Sequence, residues 1–193
     1  MSSTKRGSTT RAPLDQYFTP DNVARACVNT LDLSAAKYIV EPSVGGGAFA
    51  RAIRTAAPQA HITGYDLDPS VEGQAHCDVF VVADWTSVRP DTAPDVVLGN
   101  PPFNEAQAHV EHALSVARPG GIVGMLLRLA FTEGIVRTPF WDKYRTSLDA
   151  IFVFSKRPSF MGGACDSCAY GWFVWRVGGE GRQRIIPGWD WRK

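Results

Sequence analysis

The chain has 193 residues, of which 45% are hydrophobic and 20% are charged, and its net charge at neutral pH is +1. This is the composition of an ordinary globular protein, and the length predicts one domain. No apolar run is long enough to span a bilayer, and the polar N-terminus lacks the apolar core of a signal peptide. We therefore expect a cytoplasmic protein that has no membrane partner.

Basic residues are concentrated near the two ends of the chain. Residues 1–12 are small and polar and are predicted to form a disordered basic tail, while residues 13–193 are predicted to form the folded domain. The basic residues are Lys5, Arg6 and Arg11 in the tail, and Arg176, Arg182, Arg184, Arg192 and Lys193 near the other end. Basic arms of this kind can contact phosphates, although as often they are only solvated ends.

The first predicted helix begins at Thr19-Pro20, with Thr19 as its N-cap and the proline in its first turn. After it, short apolar runs alternate with helical patterns. Strands are predicted over residues 37–40, 61–66, 79–83, 95–98 and 122–127, and helices over 48–57 and 103–117. Two further β-rich runs, 150–154 and 170–177, can pair antiparallel at one edge. This order predicts a doubly wound α/β domain with a mainly parallel sheet.

Residues 99–103 read Gly-Asn-Pro-Pro-Phe and follow the apolar run 95–98 directly. Because the prolines end the strand ladder and fix the backbone, Asn100 and the Pro101 carbonyl should point out of the carboxyl end of the strand. Open α/β sheets place their sites there. Two acceptors beneath the Phe103 ring suit a planar ligand group that carries an exocyclic NH2. An ordinary strand-to-helix turn is the alternative, since Asn-Pro often opens turns.

A glycine-rich turn follows the first predicted strand, in the sequence Glu-Pro-Ser-Val-Gly-Gly-Gly-Ala-Phe over residues 41–49. Glycine between a strand and a helix permits positive φ and lets a ligand approach the backbone closely. This turn contains no lysine, begins with Glu41, and lacks the third glycine of the dinucleotide-binding fingerprint. A cationic ligand therefore suits it better than a pyrophosphate does.

Two more carboxylates end the next two predicted strands, Asp66 and Asp84. An ionised carboxylate is only an acceptor, so Asp66 can receive the hydroxyls of a ribose and Asp84 the amine of an adenine. Leu67 and Trp85 would then lie on the faces of that adenine. Each acid alone would more often be a helix cap or a turn residue. Three acids at the ends of three successive strands favour a common site.

With these motifs in this order, the chain resembles the γ-type adenine-N6 DNA methyltransferases, a group of class I S-adenosylmethionine-dependent enzymes. The resemblance covers residues 14–177, and its matching segments are residues 16–20, 41–49, 66–69, 84–85, 100–103 and 157–160. It implies a Rossmann-like methyltransferase fold with one antiparallel strand near the C-terminus. It also implies S-adenosylmethionine as the cofactor and residues 13–193 as the catalytic domain.

The resemblance further implies a role for individual residues. Asn100, Pro101, Pro102 and Phe103 would form the catalytic motif, and Phe103 and Phe160 would stack the target base. The cofactor would be held by Thr19, Glu41, Ser43, Gly45, Gly47, Asp66, Leu67, Asp84, Trp85 and Asn100. The implied reaction is methyl transfer to N6 of adenine in DNA, with the base flipped out of the duplex. For Phe160, a core position beside the strand 150–154 is the alternative.

The same motif also occurs in enzymes that methylate adenine or guanine in RNA, N4 of cytosine in DNA, or glutamine in proteins. A catalytically silent binding or partner subunit is a further alternative. Members of the resembled family usually carry a target-recognition domain, whereas only about fifteen residues follow the last predicted strand here. We therefore expect low or short sequence specificity, or recognition through a homodimer or a partner subunit.

The cysteines allow one weak metal hypothesis. Cys165 and Cys168 form half a zinc site, and His109 and His112 lie three residues apart on a predicted helix that could supply the other half. Because this spacing matches no zinc-finger pattern, we predict no metal and reduced thiols.

Overall fold

The computed structural model describes residues 18–160 and 168–192. The predicted tail 1–12, Cys165 and Lys193 therefore lie outside the described residues. Within the described ranges, no helix is long and apolar enough to cross a bilayer.

One sheet of eight strands runs through the described part of the chain, in the order β3-β2-β1-β4-β5-β7-β6-β8. The strands are β1 (Tyr38–Glu41), β2 (His61–Asp66), β3 (Val79–Val82), β4 (Val96–Gly99), β5 (Ile122–Arg128), β6 (Leu148–Phe154), β7 (Tyr170–Arg176) and β8 (Arg184–Trp189). β7 pairs antiparallel with β5 and β6, and all other pairs are parallel. This confirms the predicted, mainly parallel sheet with one antiparallel strand.

Helices cover both faces of the sheet. They are α1 (Asp21–Val28), α2 (Ala48–Ala56), α3 (Ala106–Val116) and α4 (Thr138–Tyr144), and short 3₁₀ segments occur in several of the other connections. One buried cluster includes Val23 and Phe49 from α1 and α2, and the other includes Val110 and Phe140 from α3 and α4. Successive residues of β1, Ile39 and Val40, belong to opposite clusters because strand side chains alternate. The fold is thus doubly wound, as predicted.

Every predicted strand occurs within two residues of its expected bounds, but three other expectations were wrong. Pro20, not Thr19, is the N-cap residue of α1, because the Thr19 hydroxyl instead accepts a hydrogen bond from Asn100. α3 begins at Ala106 rather than at residue 103, because residues 103–105 form a turn after the two prolines. β6 and β7 pair antiparallel but do not form the edge of the sheet, which is β8.

The arginines near the C-terminus had two interpretations, a phosphate-binding arm or solvated ends, and two of them instead bind a buried carboxylate of the fold. Arg182 donates two hydrogen bonds to the buried carboxylate of Asp149, at 2.9 and 3.0 Å. Arg184 follows it into β8 and lies 3.7 Å from the same carboxylate. Arg192 pairs with Asp190 at 2.7 Å. The buried carboxylate of Asp149 needs charged or hydrogen-bonding partners, and Arg182 and Arg184 supply them.

Removal of the Asp149 charge should destabilise the folded protein. The hydrogen bonds from Arg182 lower the pKa of Asp149 from its ordinary value of 3.8. This carboxylate therefore stabilises the fold fully above pH 4, and the contribution is lost as the pH falls through its lowered pKa. Asp149→Asn should reduce the free energy of unfolding at pH 7 by about 1–3 kcal/mol, measured by urea denaturation.

The matched control is Asp142→Asn, because Asp142 pairs with Arg145 at 3.5 Å while both side chains are exposed. It should change stability by less than about 0.5 kcal/mol. Equal effects of the two substitutions, or an Asp149→Asn effect that does not shrink in acid, would contradict this role of Asp149.

Candidate functional site

The carboxyl ends of the two neighbouring strands β1 and β4 face a cavity of about 340 Å³. Of the residues predicted to form a site, those lining it are Ser43, Gly45, Asp66, Leu67, Asp84, Trp85, Asn100, Pro101, Pro102 and Phe103. A smaller adjoining cavity of about 40 Å³ is lined by Thr19, Glu41 and Gly47, together with Ser43, Gly45 and Asn100. The two cavities bring together every predicted site residue except Phe160.

The glycine turn has backbone conformations that residues with a side chain rarely adopt. Gly45 and Gly47 have φ angles of +46° and +76°. A Cβ on Gly47 would also lie 2.5 Å from the Cα of Gly73, so this glycine lets the turn pack against the following 3₁₀ segment. Phe18 lies across the turn, 3.2 Å from where a Cβ on Gly46 would be. Phe18 lines both cavities, although the sequence analysis gave it no role.

Glu41 is the most unusual charged residue of the site. It is 1% exposed, and its Oε2 atom has no hydrogen-bond partner among the described residues. Burial, with the nearby charge of Asp66, raises the pKa of Glu41 well above its ordinary value, while the Ala50 backbone amide and the Arg51 charge oppose this rise. An unpaired buried carboxylate is costly, and a cationic group in the adjoining cavity would compensate for it.

Asp66 connects β2 to the glycine turn. Its Oδ2 atom accepts a hydrogen bond from the Gly45 backbone amide at 2.8 Å, and its Oδ1 accepts one from the Asp68 amide at 3.0 Å. A carboxylate has about four lone-pair sites, so both oxygens can accept further hydrogen bonds. The side chain therefore fixes the shape of the turn and still offers acceptors to the cavity that it lines.

Asp84 has a structural role in the ligand-free protein. It is the N-cap of the 3₁₀ segment Trp85–Ser87. Its Oδ1 accepts from the amide and the hydroxyl of Thr86 at 2.9 and 2.7 Å, and its Oδ2 accepts from the Ser87 hydroxyl at 3.3 Å. The Thr86 hydroxyl above all lowers the pKa of Asp84, which keeps it an ionised acceptor at the edge of the larger cavity.

Leu67 follows Asp66 and Trp85 follows Asp84, and these two apolar side chains differ greatly in exposure. Leu67 is 60% exposed, which is unusual for a leucine beside a cavity, whereas Trp85 is 2% exposed. The Trp85 ring packs against Tyr65 at 5.0 Å and against the edge of His112 at 4.7 Å between ring centroids. An apolar planar group could therefore lie between an exposed aliphatic side chain and a buried indole.

The proline turn after β4 is tied to the segment before α1. The Asn100 Nδ2 atom donates to the Thr19 Oγ1 atom at 3.0 Å, across 81 positions of sequence. This bond turns the amide oxygen of Asn100 away from Thr19. Both residues line the smaller cavity, and Asn100 also lines the larger one, so its side chain stands at the junction of the two.

The two phenylalanines predicted to contact a base have different surroundings. Phe103 is half-buried and lines the larger cavity. Phe160 is 8% exposed, does not line that cavity, and packs against Tyr170 at 4.9 Å between ring centroids. It lies 6.1 Å from Phe103 in an edge-to-face arrangement. The described structure thus places Phe160 in the core behind Phe103.

His109 also lines the larger cavity, and the sequence analysis considered it only as a metal ligand. Its Nδ1 is 3.2 Å from the Glu105 carbonyl oxygen, and burial lowers its pKa, so the ring is neutral near pH 7. The His112 Nε2 atom is 2.7 Å from the Val88 carbonyl oxygen. In residues 18–160 and 168–192 no three histidine, cysteine or acidic side chains are grouped as a metal site would require.

Comparison with known proteins gives two similar sequences, both called Type II methyltransferases, while no family model matches the chain. The protein M.TthHB8I of Thermus thermophilus is 33% identical over 116 residues, which are 52% of this chain and 24% of the relative. M.CvrRI of Paramecium bursaria Chlorella virus XZ-6E is 22% identical over 169 residues, which are 76% of this chain and 45% of the relative. The chain thus spans less than half the length of either relative.

Solved structures with the same fold include three kinds of methyltransferase. A Listeria monocytogenes protein assigned to the class I S-adenosylmethionine-dependent methyltransferases has a TM-score of 0.67 at 14% identity, over 88% of this chain and 64% of its own. The type I restriction-modification methyltransferase subunit of Streptococcus thermophilus has a TM-score of 0.67 at 14% identity, over 83% and 45%. The 23S rRNA methyltransferase ErmE has a TM-score of 0.61 at 19% identity, over 86% and 71%.

These similarities establish the fold of the chain as that of the class I S-adenosylmethionine-dependent methyltransferases. S-adenosylmethionine is accordingly the cofactor that the fold implies.

Replacement of Glu41 should stabilise the ligand-free protein. Because the folded pKa of this carboxyl is raised above its ordinary value of 4.5, the wild-type protein should lose stability as the pH rises from 4.5 toward the folded pKa. Glu41→Gln removes the buried ionisable group and should raise the free energy of unfolding at pH 7 by about 1–3 kcal/mol, measured by chemical denaturation.

Glu72→Gln is the control, since Glu72 is an exposed acid of the neighbouring 3₁₀ segment and should leave stability nearly unchanged. If Glu41→Gln were less stable than the wild type at pH 7, Glu41 would not be a strained, uncompensated carboxylate.

Proposed function

We propose that the protein transfers the methyl group of S-adenosylmethionine to the exocyclic N6 of adenine in DNA. The observation that carries the proposal is the junction of the two cavities. There the side chain of Asn100, from the Asn-Pro-Pro-Phe motif, lies beside a cavity lined by Glu41, whose buried Oε2 atom has no hydrogen-bond partner among the described residues. The smaller cavity suits the amino-acid part of a cationic cofactor, and the larger one suits the rest of that cofactor together with a planar substrate group.

The charges around the cavities suit this cofactor. Among the described residues, their lining includes the acidic residues Glu41, Asp66, Asp84 and Glu105 and no lysine or arginine. Such a lining favours a ligand with an ammonium and a sulfonium over one with phosphates. Glu41 and Thr19 would hold the amino-acid part, Asp66 the ribose hydroxyls, and Asp84 the adenine amine. When bound, S-adenosylmethionine supplies an activated methyl group whose sulfur leaves without charge.

The residues of the proline turn then have one chemical task. The lone pair of an aromatic amine is delocalised into its ring, which makes the amine a weak nucleophile. The Asn100 side-chain oxygen and the Pro101 carbonyl can accept hydrogen bonds from the two N–H groups, which favours a pyramidal nitrogen and offsets its developing positive charge. Phe103 would orient the ring and hold the amine in line for the transfer.

DNA is favoured as the substrate because both similar sequences are Type II methyltransferases. A base within a duplex cannot enter a cavity of this kind, so it would have to be flipped out of the stack. A second copy of the chain or a partner subunit would contribute to recognition of a DNA sequence, by analogy with the restriction-modification subunit that shares the fold.

Mass spectrometry of nucleosides tests the proposal. The protein is incubated with S-adenosylmethionine carrying a deuterated methyl group, in parallel with single-stranded DNA, duplex DNA and RNA, and each nucleic acid is digested to nucleosides. We expect label in N6-methyldeoxyadenosine. Label only in methylated cytosine or in RNA would contradict the adenine or the DNA assignment, and an absence of transfer to all three nucleic acids would favour methylation of protein glutamine or a silent binding subunit.

The proposal also predicts that Asn100 affects the chemical step more than cofactor binding. Asn100→Ala should lower the single-turnover rate by about two to three orders of magnitude, as with other oriented groups that act in a transition state. The affinity for S-adenosylmethionine, measured by calorimetry, should change little. Asn29→Ala, at the exposed C-cap of α1, is the control for loss of an amide. A wild-type rate in the Asn100 variant would exclude methylation through this motif.

A further inference from the structure

His109, in the first turn of α3, is a buried histidine that uses only one of its ring nitrogens within the protein. It is 4% exposed and lines the larger cavity. Its Nδ1 atom lies 3.2 Å from the Glu105 carbonyl oxygen, which can only accept, so Nδ1 carries a proton. Because burial lowers the pKa of His109, the ring is neutral near pH 7 and its Nε2 atom is a bare acceptor.

This Nε2 atom is available to a ligand in the larger cavity. Within residues 18–160 and 168–192 it has no hydrogen-bond partner. It is also not among the side-chain atoms there that are both unpartnered and sealed from solvent. Nε2 therefore borders open space, and the open space that this buried residue lines is the larger cavity.

Within the larger cavity, His109 lies at the end proposed for the adenine of the cofactor. His112, one turn further along α3, meets the edge of the Trp85 ring at 4.7 Å between centroids. Beside the larger effects of hydrogen bonding on Asp84 and of burial on His109, the charge of each also affects the pKa of the other, so these side chains are close. Phe103, by contrast, packs with the hydrophobic cluster on the opposite face of the sheet from Trp85.

Asp84 alone cannot satisfy the amine of an adenine. A carboxylate has about four lone-pair sites, and three of those on Asp84 already accept from the Thr86 amide, the Thr86 hydroxyl and the Ser87 hydroxyl. One site is left, whereas an exocyclic amine has two N–H groups. A buried N–H without a partner is costly, so the second one needs another acceptor. The bare Nε2 of His109 is such an acceptor, beside Asp84 in the same cavity.

We propose that the Nε2 atom of His109 accepts the second N–H of the cofactor's adenine amine and makes the site selective for that amine. This inference rests on the proposed function through its assignment of Asp84 to the same amine. A hypoxanthine ring, which carries a carbonyl oxygen in place of the amine, would bring a third acceptor to the acceptors of Asp84 and His109. His109 lies outside every segment on which the family resemblance rests.

Calorimetry with two ligands tests the inference on the wild type, His109→Leu and His109→Gln. The ligands are S-adenosylhomocysteine and S-inosylhomocysteine, which has the carbonyl oxygen in place of the amine. His109→Leu removes the acceptor and should weaken S-adenosylhomocysteine about 3- to 10-fold, as expected for loss of one hydrogen bond. The same variant should bind S-inosylhomocysteine as well as the wild type does, or better. His109→Gln keeps a side-chain acceptor and should retain most of the preference for the amine.

His61→Leu is the control for loss of an imidazole, because the exposed His61 begins β2, at the end of the sheet opposite the site. It should keep the wild-type affinity for both ligands. Melting temperatures, measured for each variant, identify the proteins that are folded.

Nuclear magnetic resonance of the wild type tests the same inference without a change in the binding site, and it decides the matter if His109→Leu does not fold. Two-bond ¹H–¹⁵N spectra, assigned by comparison with His109→Gln, should show a proton on Nδ1 of His109 and none on Nε2. The Nε2 resonance should move toward that of a hydrogen-bonded nitrogen when S-adenosylhomocysteine is added.

Unchanged binding of S-adenosylhomocysteine to folded His109→Leu would overturn the inference, and so would a proton on Nε2 in the free protein. An equal loss for both ligands would also overturn it, since the amine would then not matter. A wild type that does not distinguish the two ligands would overturn the roles of both His109 and Asp84. The assay with labelled nucleosides judges methyl transfer to DNA separately, so either conclusion can fail while the other stands.

Discussion

The buried carboxylate of Glu41 lies where the chain leaves β1, beside the point at which the connections of the sheet change direction. α2, which follows β1, packs on one face of the sheet, and α3, which follows β4, packs on the other. A crevice therefore opens between the carboxyl ends of these two strands, as doubly wound folds require. A buried carboxylate that lines this crevice, with one of its two oxygens unpaired among the described residues, costs folding free energy. It is explained most simply by a cationic ligand that compensates for it, and the rest of the site is arranged around this position.

Three local features keep the crevice open and give it shape. Positive φ angles at Gly45 and Gly47 curve the first turn, and Asp66 holds that turn through the Gly45 amide. The second turn is fixed by two prolines and by the bond from Asn100 to Thr19. As a result, the acceptors proposed for the cofactor and those proposed for the substrate belong to different strands. Asn100 lines both cavities and lies where the two groups come together. Binding and chemistry can therefore be separated by mutation.

The sequence predicted the strands well because buried parallel strands are short apolar runs bounded by turns, and it predicted the site because motif residues directly follow those runs. The predictions from sequence were wrong or silent where contacts between distant residues determine the local structure. Thr19 has the sequence context of a helix cap but bonds Asn100 instead. The run after Arg182 resembles a basic tail, yet it forms β8 because Asp149 binds its arginines. His109 has only the weak signal of a metal ligand in the sequence, because its place in the larger cavity depends on how α3 packs against the segment Trp85–Ser87.

The most direct test of the account compares two ligands on two proteins by calorimetry. S-adenosylhomocysteine carries the amino-acid part that Glu41 is proposed to hold, and 5′-methylthioadenosine lacks it. Glu41→Gln should weaken the first ligand by roughly 10- to 100-fold, as expected for loss of a charged hydrogen bond, and leave the affinity for the second nearly unchanged. Equal changes for both ligands, or unchanged binding of S-adenosylhomocysteine, would contradict the assignment of Glu41 to the cofactor.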